Sequence, residues 1–175
     1  PPRHGVRRQR QMCIRDRSVT NLRKVCEIAE KFGQSRALEP LNRFETDLVN
    51  TTADVVQLVS DINHPSAKIL LDSFHMTIEE TNIREAIRLA GNHLIHVQVS
   101  ENHRGIPGSG LTPWNEFVLG LSDINYTGAM VIESFTPEIQ ELAGAVCIWK
   151  HLAESQDQFA IEGLQFLRET FSPSA

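Results

Sequence analysis

Four short apolar runs, each closing on a polar side chain and each followed by a helical pattern, constrain this chain more than any other feature. "RALE" closes on Glu39, "KILLD" on Asp72, "LIHVQ" on Gln98 and "GAMVIE" on Glu133. Runs of this length without strict alternation are strands covered on both faces. Between them lie helical patterns. "TTADVVQLVSDIN" has Thr51 or Thr52 as N-cap and Asp54 in its first turn, and "NIREAIRLAGN" and "WNEFVLGLSDIN" are amphipathic. "SVTNLRKVCEIAEKFG" precedes the first strand, with Val19, Leu22, Val25, Cys26, Ile28 and Ala29 on a stripe that Gly33 ends. Two further helices are predicted over residues 137–153 and 156–171, ahead of a polar "SPSA" tail. Strands alternating with helices make an α/β protein with a parallel sheet.

Two architectures have this pattern: an open doubly wound sheet and a (β/α)8 barrel. No G-x-G-x-x-G follows any strand, so the dinucleotide fingerprint is missing. Successive strand ends that each deliver a potential ligand are the habit of a barrel active site. A full barrel takes about 250 residues, and this chain has 175. The expectation is therefore half a barrel: about four βα units preceded by a helix, with extra helices at the C-terminal end.

The opening stretch has a different character. "RRQRQMCIRD", residues 7 to 16, is arginine-rich, lacks apolar periodicity and resembles the in-frame translation of a transposase adapter used to build sequencing libraries. Residues 1–17 are accordingly expected to be a non-native, disordered segment without a packing role. Residues 18–175 are expected to form the partial barrel, with native chain upstream of it.

Bulk chemistry removes several function classes. The net charge is −5 and the pI is about 5.8, which argues against a nucleic-acid partner. Three irregularly spaced cysteines make neither a disulfide framework nor a zinc cluster and agree with a reducing cytoplasm. No apolar run approaches the roughly 20 residues of a membrane span, so no membrane partner is expected.

Any one of these strand-end residues has an ordinary structural explanation. A carboxylate there is commonly a helix cap or half of a surface salt bridge, Glu45 could be a first-turn acid, and His75 or Arg104 a solvated loop residue. The joint pattern is harder to obtain by accident. Carboxylates clustered in apolar surroundings are costly unless something neutralises them, and a divalent cation does so.

The motifs "LEPLNRFET", "LLDSFHM", "SENHRGIPGSG" and "VIESF" resemble the successive strand-end motifs of the xylose isomerase-like barrels. They are most similar to those of the D-tagatose/D-psicose (ketose) 3-epimerase family. The resemblance covers roughly residues 18 to 170 and implies strands five to eight of a (β/α)8 barrel. It also implies metal-binding carboxylates at Glu39, Asp72 and Glu133, catalytic roles for Glu39 and Glu133, and substrate contacts from Glu45, His75 and Arg104. At position 98 the family's metal-binding histidine is replaced by Gln98, with His96 one inward-facing position deeper. A glutamine oxygen still suits a hard cation, so Glu39, Asp72, Gln98 and Glu133 would favour Mg²⁺ or Mn²⁺, with Co²⁺ also acceptable. The alternative is that His96 reaches the metal through a shifted register.

The implied activity is epimerisation of a ketose at C3 through an enediolate, with a small carbohydrate as partner, no nucleic acid or membrane, and a homo-oligomer as the full-length form. An aldose–ketose isomerase of the hydroxypyruvate isomerase kind or an inosose dehydratase-like lyase would use nearly the same ligands. A DNA-repair enzyme of the endonuclease IV kind would need more histidines and a basic surface. A catalytically inactive metal-binding fragment is the alternative of another class.

Overall fold

The computed structural model describes residues 3–171, with side chains from residue 12 onward. Its first element, helix α1, spans Arg3–Lys31. Disorder is expected over residues 1–17, but from Arg3 to Arg17 the chain is helical. Arginine and glutamine are good helix formers, and no proline or capping signal interrupts them. Residues 1 and 2 lie outside the described residues. Helix α1 also makes contacts within its first half, because the Arg15 guanidinium donates to Asp61 Oδ2 at 2.8 and 3.1 Å. Cys26 and Ala29 face the core, while Val25 and Ile28, expected on the same stripe, are exposed. Gly33 ends the helix with φ +63°, and the N–H groups of Gly33 and Gln34 close onto Glu30 and Ala29.

Strand β1 (Arg36–Leu38) is short because Pro40 follows. Helix α2 (Thr52–Ile62) starts at Thr51, where a reciprocal capping box with Asp54 satisfies the first turn. Its Val55, Leu58, Val59 and Ile62 are buried at helical spacing. Strand β2 (Ala67–Asp72) passes directly into helix α3 (Ser73–Glu79), whose N-cap is Asp72. Helix α4 (Ile83–Ala90), a short 3-10 turn (Gly91–His93), strand β3 (Leu94–Val99), helix α5 (Trp114–Asp123) and strand β4 (Ala129–Ile132) follow. The helix expected over residues 137–153 is only Gln140–Val146, here α6, because Cys147 turns left-handed at its C-cap with φ +58°. Helix α7 spans Gln156–Phe171.

All three strand pairs are parallel, and the order is β1-β2-β3-β4. A doubly wound sheet reverses its order at a switch point; this sheet does not, so it has the connectivity of a barrel arc. The core lies between the sheet and its helices, built from Ile69, Leu71, Val97 and Val99 of the strands with Val55, Leu58, Ile62, Ile87 and Phe117. Side chains alternate across a strand, so the opposite face carries Leu70 and Asp72 of β2 and His96 and Gln98 of β3. The register sets Leu70 level with His96, and Asp72 level with Gln98. At the strand exits on that second face the polar residues gather.

Candidate active site

Asp72 is fully buried at the end of β2, where one carboxylate oxygen accepts from Phe74 N at 2.7 Å and the other from Arg104 Nη1 at 3.1 Å. Burial pushes its carboxyl well above the usual range, although Arg104 works against that rise. The end of β2 is fastened to the end of β3 by Ser73, whose Oγ donates to Ser100 O at 2.6 Å and accepts from Ser100 N at 2.9 Å.

Arg104 sits on the loop after β3 with φ +64° and is itself buried. Its Nη1 also donates to Glu133, just beyond β4, in a close ion pair. The guanidinium lies over the Phe74 ring, with Cζ 3.9 Å from the centroid, and faces Phe135 at 5.2 Å. One cation thereby links carboxylates from two strands two apart in the sheet.

His75, in the first turn of α3, is likewise buried. Asn42 aims both its main-chain N–H and its side-chain amide at His75 Nδ1, at 3.1 and 2.9 Å. The other ring nitrogen, Nε2, stands 3.3 Å from Arg104 Nη2 and 3.7 Å from Glu39 Oε1, so N–H donors approach the ring from both sides. Burial, followed by the Arg104 charge, lowers the imidazole to about 4, which keeps it neutral at neutral pH.

Glu39 follows β1 directly. Burial, and then the negative charge of Glu133, lifts its carboxyl to about 7, with Arg104 opposing the rise. A carboxyl near neutrality is suited to both giving and taking a proton. Glu45 is more exposed. Its Oε1 accepts from Asn42 Nδ2 at 2.8 Å and lies 4.0 Å from His75 Nδ1.

Gln98 donates from Nε2 to Glu133 Oε1 at 3.4 Å, while its Oε1 is buried without a hydrogen-bond partner among the described residues. The register holds Gln98 level with Asp72 and Val131; His96 lies level with Leu70 and Ala129, one step deeper on the same face. Glu39, Asp72 and His75 each place one ligand atom within 4.8 Å of the others, a group able to hold a metal ion. His75, expected against substrate, is thus also within the tightest candidate ligand group.

All seven residues singled out in the sequence come to the same end of the sheet. Three more matter and were not singled out. Asn42 holds the His75 ring through Nδ1, Phe74 underlies Arg104, and the buried Glu101 holds the Arg104 loop. Glu101 accepts from Trp114 Nε1 at 2.7 Å, Gly108 N at 2.7 Å and Thr112 N at 3.0 Å. Burial alone would raise its carboxyl, but these hydrogen bonds outweigh it and hold the group below the usual range. Its only sequence signal is a carboxylate two residues past the end of β3.

Comparisons with known proteins agree on a family. A family model described as xylose isomerase-like TIM barrel matches residues 1–170. The D-psicose 3-epimerase of Enterocloster bolteae is 38% identical over 162 residues, 90% of this chain and 54% of that protein. The L-ribulose 3-epimerase of Methylomonas is 32% identical over 159 residues, 90% of this chain and 56% of that one. Among solved structures, D-psicose 3-epimerase with D-tagatose from Clostridium cellulolyticum H10 superposes with a TM-score of 0.85 at 36% identity, covering 91% of this chain and 57% of the other. The chain therefore spans about half the length of the relatives it matches.

Proposed function

This chain belongs to the xylose isomerase-like TIM barrel family, and from that premise we propose that the protein carrying it is a divalent-metal-dependent ketose 3-epimerase. The observation that carries the reading is the gathering of Glu39, Asp72, His75, Arg104 and Glu133 at the exits of four neighbouring parallel strands. Glu39 and Glu133 follow the two outer strands directly, so on this reading they approach a substrate over Asp72 and Gln98 from opposite sides. Inverting a carbon beside a carbonyl requires that arrangement: one group removes the C3 proton from one face, and another returns a proton to the opposite face.

The donor set fits a cation. Three carboxylates crowd together with the Arg104 guanidinium, and Gln98, level with Asp72, has a buried neutral oxygen without a hydrogen-bond partner among the described residues. Glu39, Asp72, Gln98 and Glu133 would hold the metal, and the all-oxygen set favours Mn²⁺ or Mg²⁺. Bound there, the metal supplies Lewis acidity to the substrate's carbonyl side. Arg104 donates hydrogen bonds to the substrate oxygens that gain charge, with the neutral His75 beside it. Glu45 accepts from a substrate hydroxyl and steadies Asn42. Three free cysteines agree with a cytoplasmic setting, and among the described residues no helix is long and apolar enough to cross a membrane. We take the whole protein to be a homo-oligomer acting on a free sugar.

The test is proton exchange. The full-length protein, supplied with Mn²⁺ and a panel of free ketoses in deuterated water, should place deuterium at C3 and form the C3 epimer. Exchange at C1 without C3 inversion would make it an aldose–ketose isomerase. Loss of water would make it a dehydratase, and no exchange with any sugar would refute the reading.

A further inference from the structure

We propose that Glu101 is the residue that positions Arg104 for substrate binding; the role assigned to Arg104 rests on the ketose 3-epimerase reading. Glu101 makes its hydrogen bonds within its own loop and to Trp114, the first residue of α5. Its Oε1 accepts from Gly108 N and Trp114 Nε1, both at 2.7 Å, and its Oε2 accepts from Thr112 N at 3.0 Å and Asn102 N at 3.2 Å. The side chain is fully buried. A buried carboxylate with four N–H donors is a hub that fixes the entire path between β3 and α5.

The hub sits beside the turn that shapes Arg104. Glu101 N donates to Gly105 O at 3.0 Å, and Arg104 N donates to Glu101 O at 2.8 Å. That closed turn holds Arg104 at φ +64°, a region that a residue with a Cβ enters only when its surroundings impose it. The fit around the carboxylate is tight. A Cβ on Gly110 would come within 2.7 Å of Glu101 Oε2 and 2.5 Å of Asn102 Oδ1. Held this way, the guanidinium reaches Asp72, Glu133 and the Phe74 ring together. A loop free to relax would let Arg104 return to ordinary backbone angles and withdraw from all three. Glutamine at position 101 would turn an NH₂ group toward main-chain donors that need an acceptor.

The experiment is a double-mutant cycle on the full-length protein. E101Q should lower kcat by about 10²-fold, the scale of an ångström-level misplacement, and W114F, which removes one donor and keeps the carboxylate, should lower it less. Against an R104A background both effects should shrink to within about twofold. If either loss persists in full with Arg104 already gone, Glu101 does not act through Arg104 and the proposal fails. A second readout does not depend on turnover. In ¹⁵N-labelled protein the Arg104 Nε–H should give a distinct, slowly exchanging signal that shifts in W114F and in E101Q; an unmoved signal also overturns the proposal. If the wild type exchanges no ketose proton, the epimerase reading falls, while the Arg104 signal still decides the role of Glu101.

Discussion

Glu133 is held from two sides, by Arg104 and by the amide of Gln98, so Glu133→Gln changes its chemistry more than its place. On the epimerase reading, in the full-length protein this substitution should lower turnover by about 10²–10⁴-fold, the worth of positioned proton transfer; a near-wild-type rate constant would remove Glu133 from the proposed mechanism. Gln98→His returns an imidazole to a position level with Asp72, and calorimetric titration should show tighter Mn²⁺ or Co²⁺ binding. Equal or weaker binding would place position 98 away from the metal. Glu101 makes a prediction about acid. Its carboxyl is held below the usual range in the folded state, so the stability it contributes is complete above the ordinary carboxylate range. That contribution is lost as pH falls through the folded value. The melting difference between wild type and E101Q should therefore be widest near neutrality and close as the solution is acidified. A difference that widens in acid would contradict the assignment. At this scale the polar residues at the strand exits were readable because each ends an apolar run. Glu101 was not, because its significance depends on Thr112 and Trp114 returning to it across a loop.

Among the elements, α2 shows the most complete agreement between local signal and structure. Thr51 Oγ1 accepts from Asp54 N at 3.2 Å, and Asp54 Oδ2 accepts from Thr51 N at 3.1 Å. Removing such a cap costs about 1 kcal/mol, so Thr51→Ala should lower the melting temperature by a few degrees without changing metal affinity. A loss of affinity as well would tie α2 to the site in a way the present contacts do not. Helix α3 was not foreseen. It has seven residues and starts on the residue after β2, too short and too close to a strand for periodicity to register. Its start is tertiary in origin, because Asp72 serves as both N-cap and Arg104 partner. Helix α6 was drawn too long for the complementary reason. Apolar residues continue past Cys147, but the backbone there turns left-handed, and side-chain pattern carries no sign of that.

For the whole molecule the consequence lies at the sheet edges. Among the described residues, strands β1 and β4 each pair on one side only. Val131 of β4 is 43% exposed, while Val97 of the central β3 is 1% exposed. The helices beside these edges also carry uncovered apolar residues: Val25, Ile28 and Phe32 on α1 or just after it, and Ile161 and Leu164 on α7. Unpaired strand edges flanked by apolar surface associate readily. The 175-residue chain by itself should run as a dimer or larger species in size-exclusion chromatography with light scattering, with weak metal binding and little ketose turnover. A cooperative, monodisperse monomer that epimerises a ketose would refute this.

By itself the sequence determined the alternation of strands and helices, the parallel sheet, and the polar residue at each strand exit. Each of these follows from side-chain period and solvation along a few consecutive residues. Only the tertiary structure decided that Arg104 links Asp72 to Glu133, that Asn42 reaches His75 Nδ1, and that Gln98 rather than His96 stands level with Asp72. Such facts depend on register and on the approach of residues 29 to 33 positions apart. Packing sets those distances, and no local pattern encodes them.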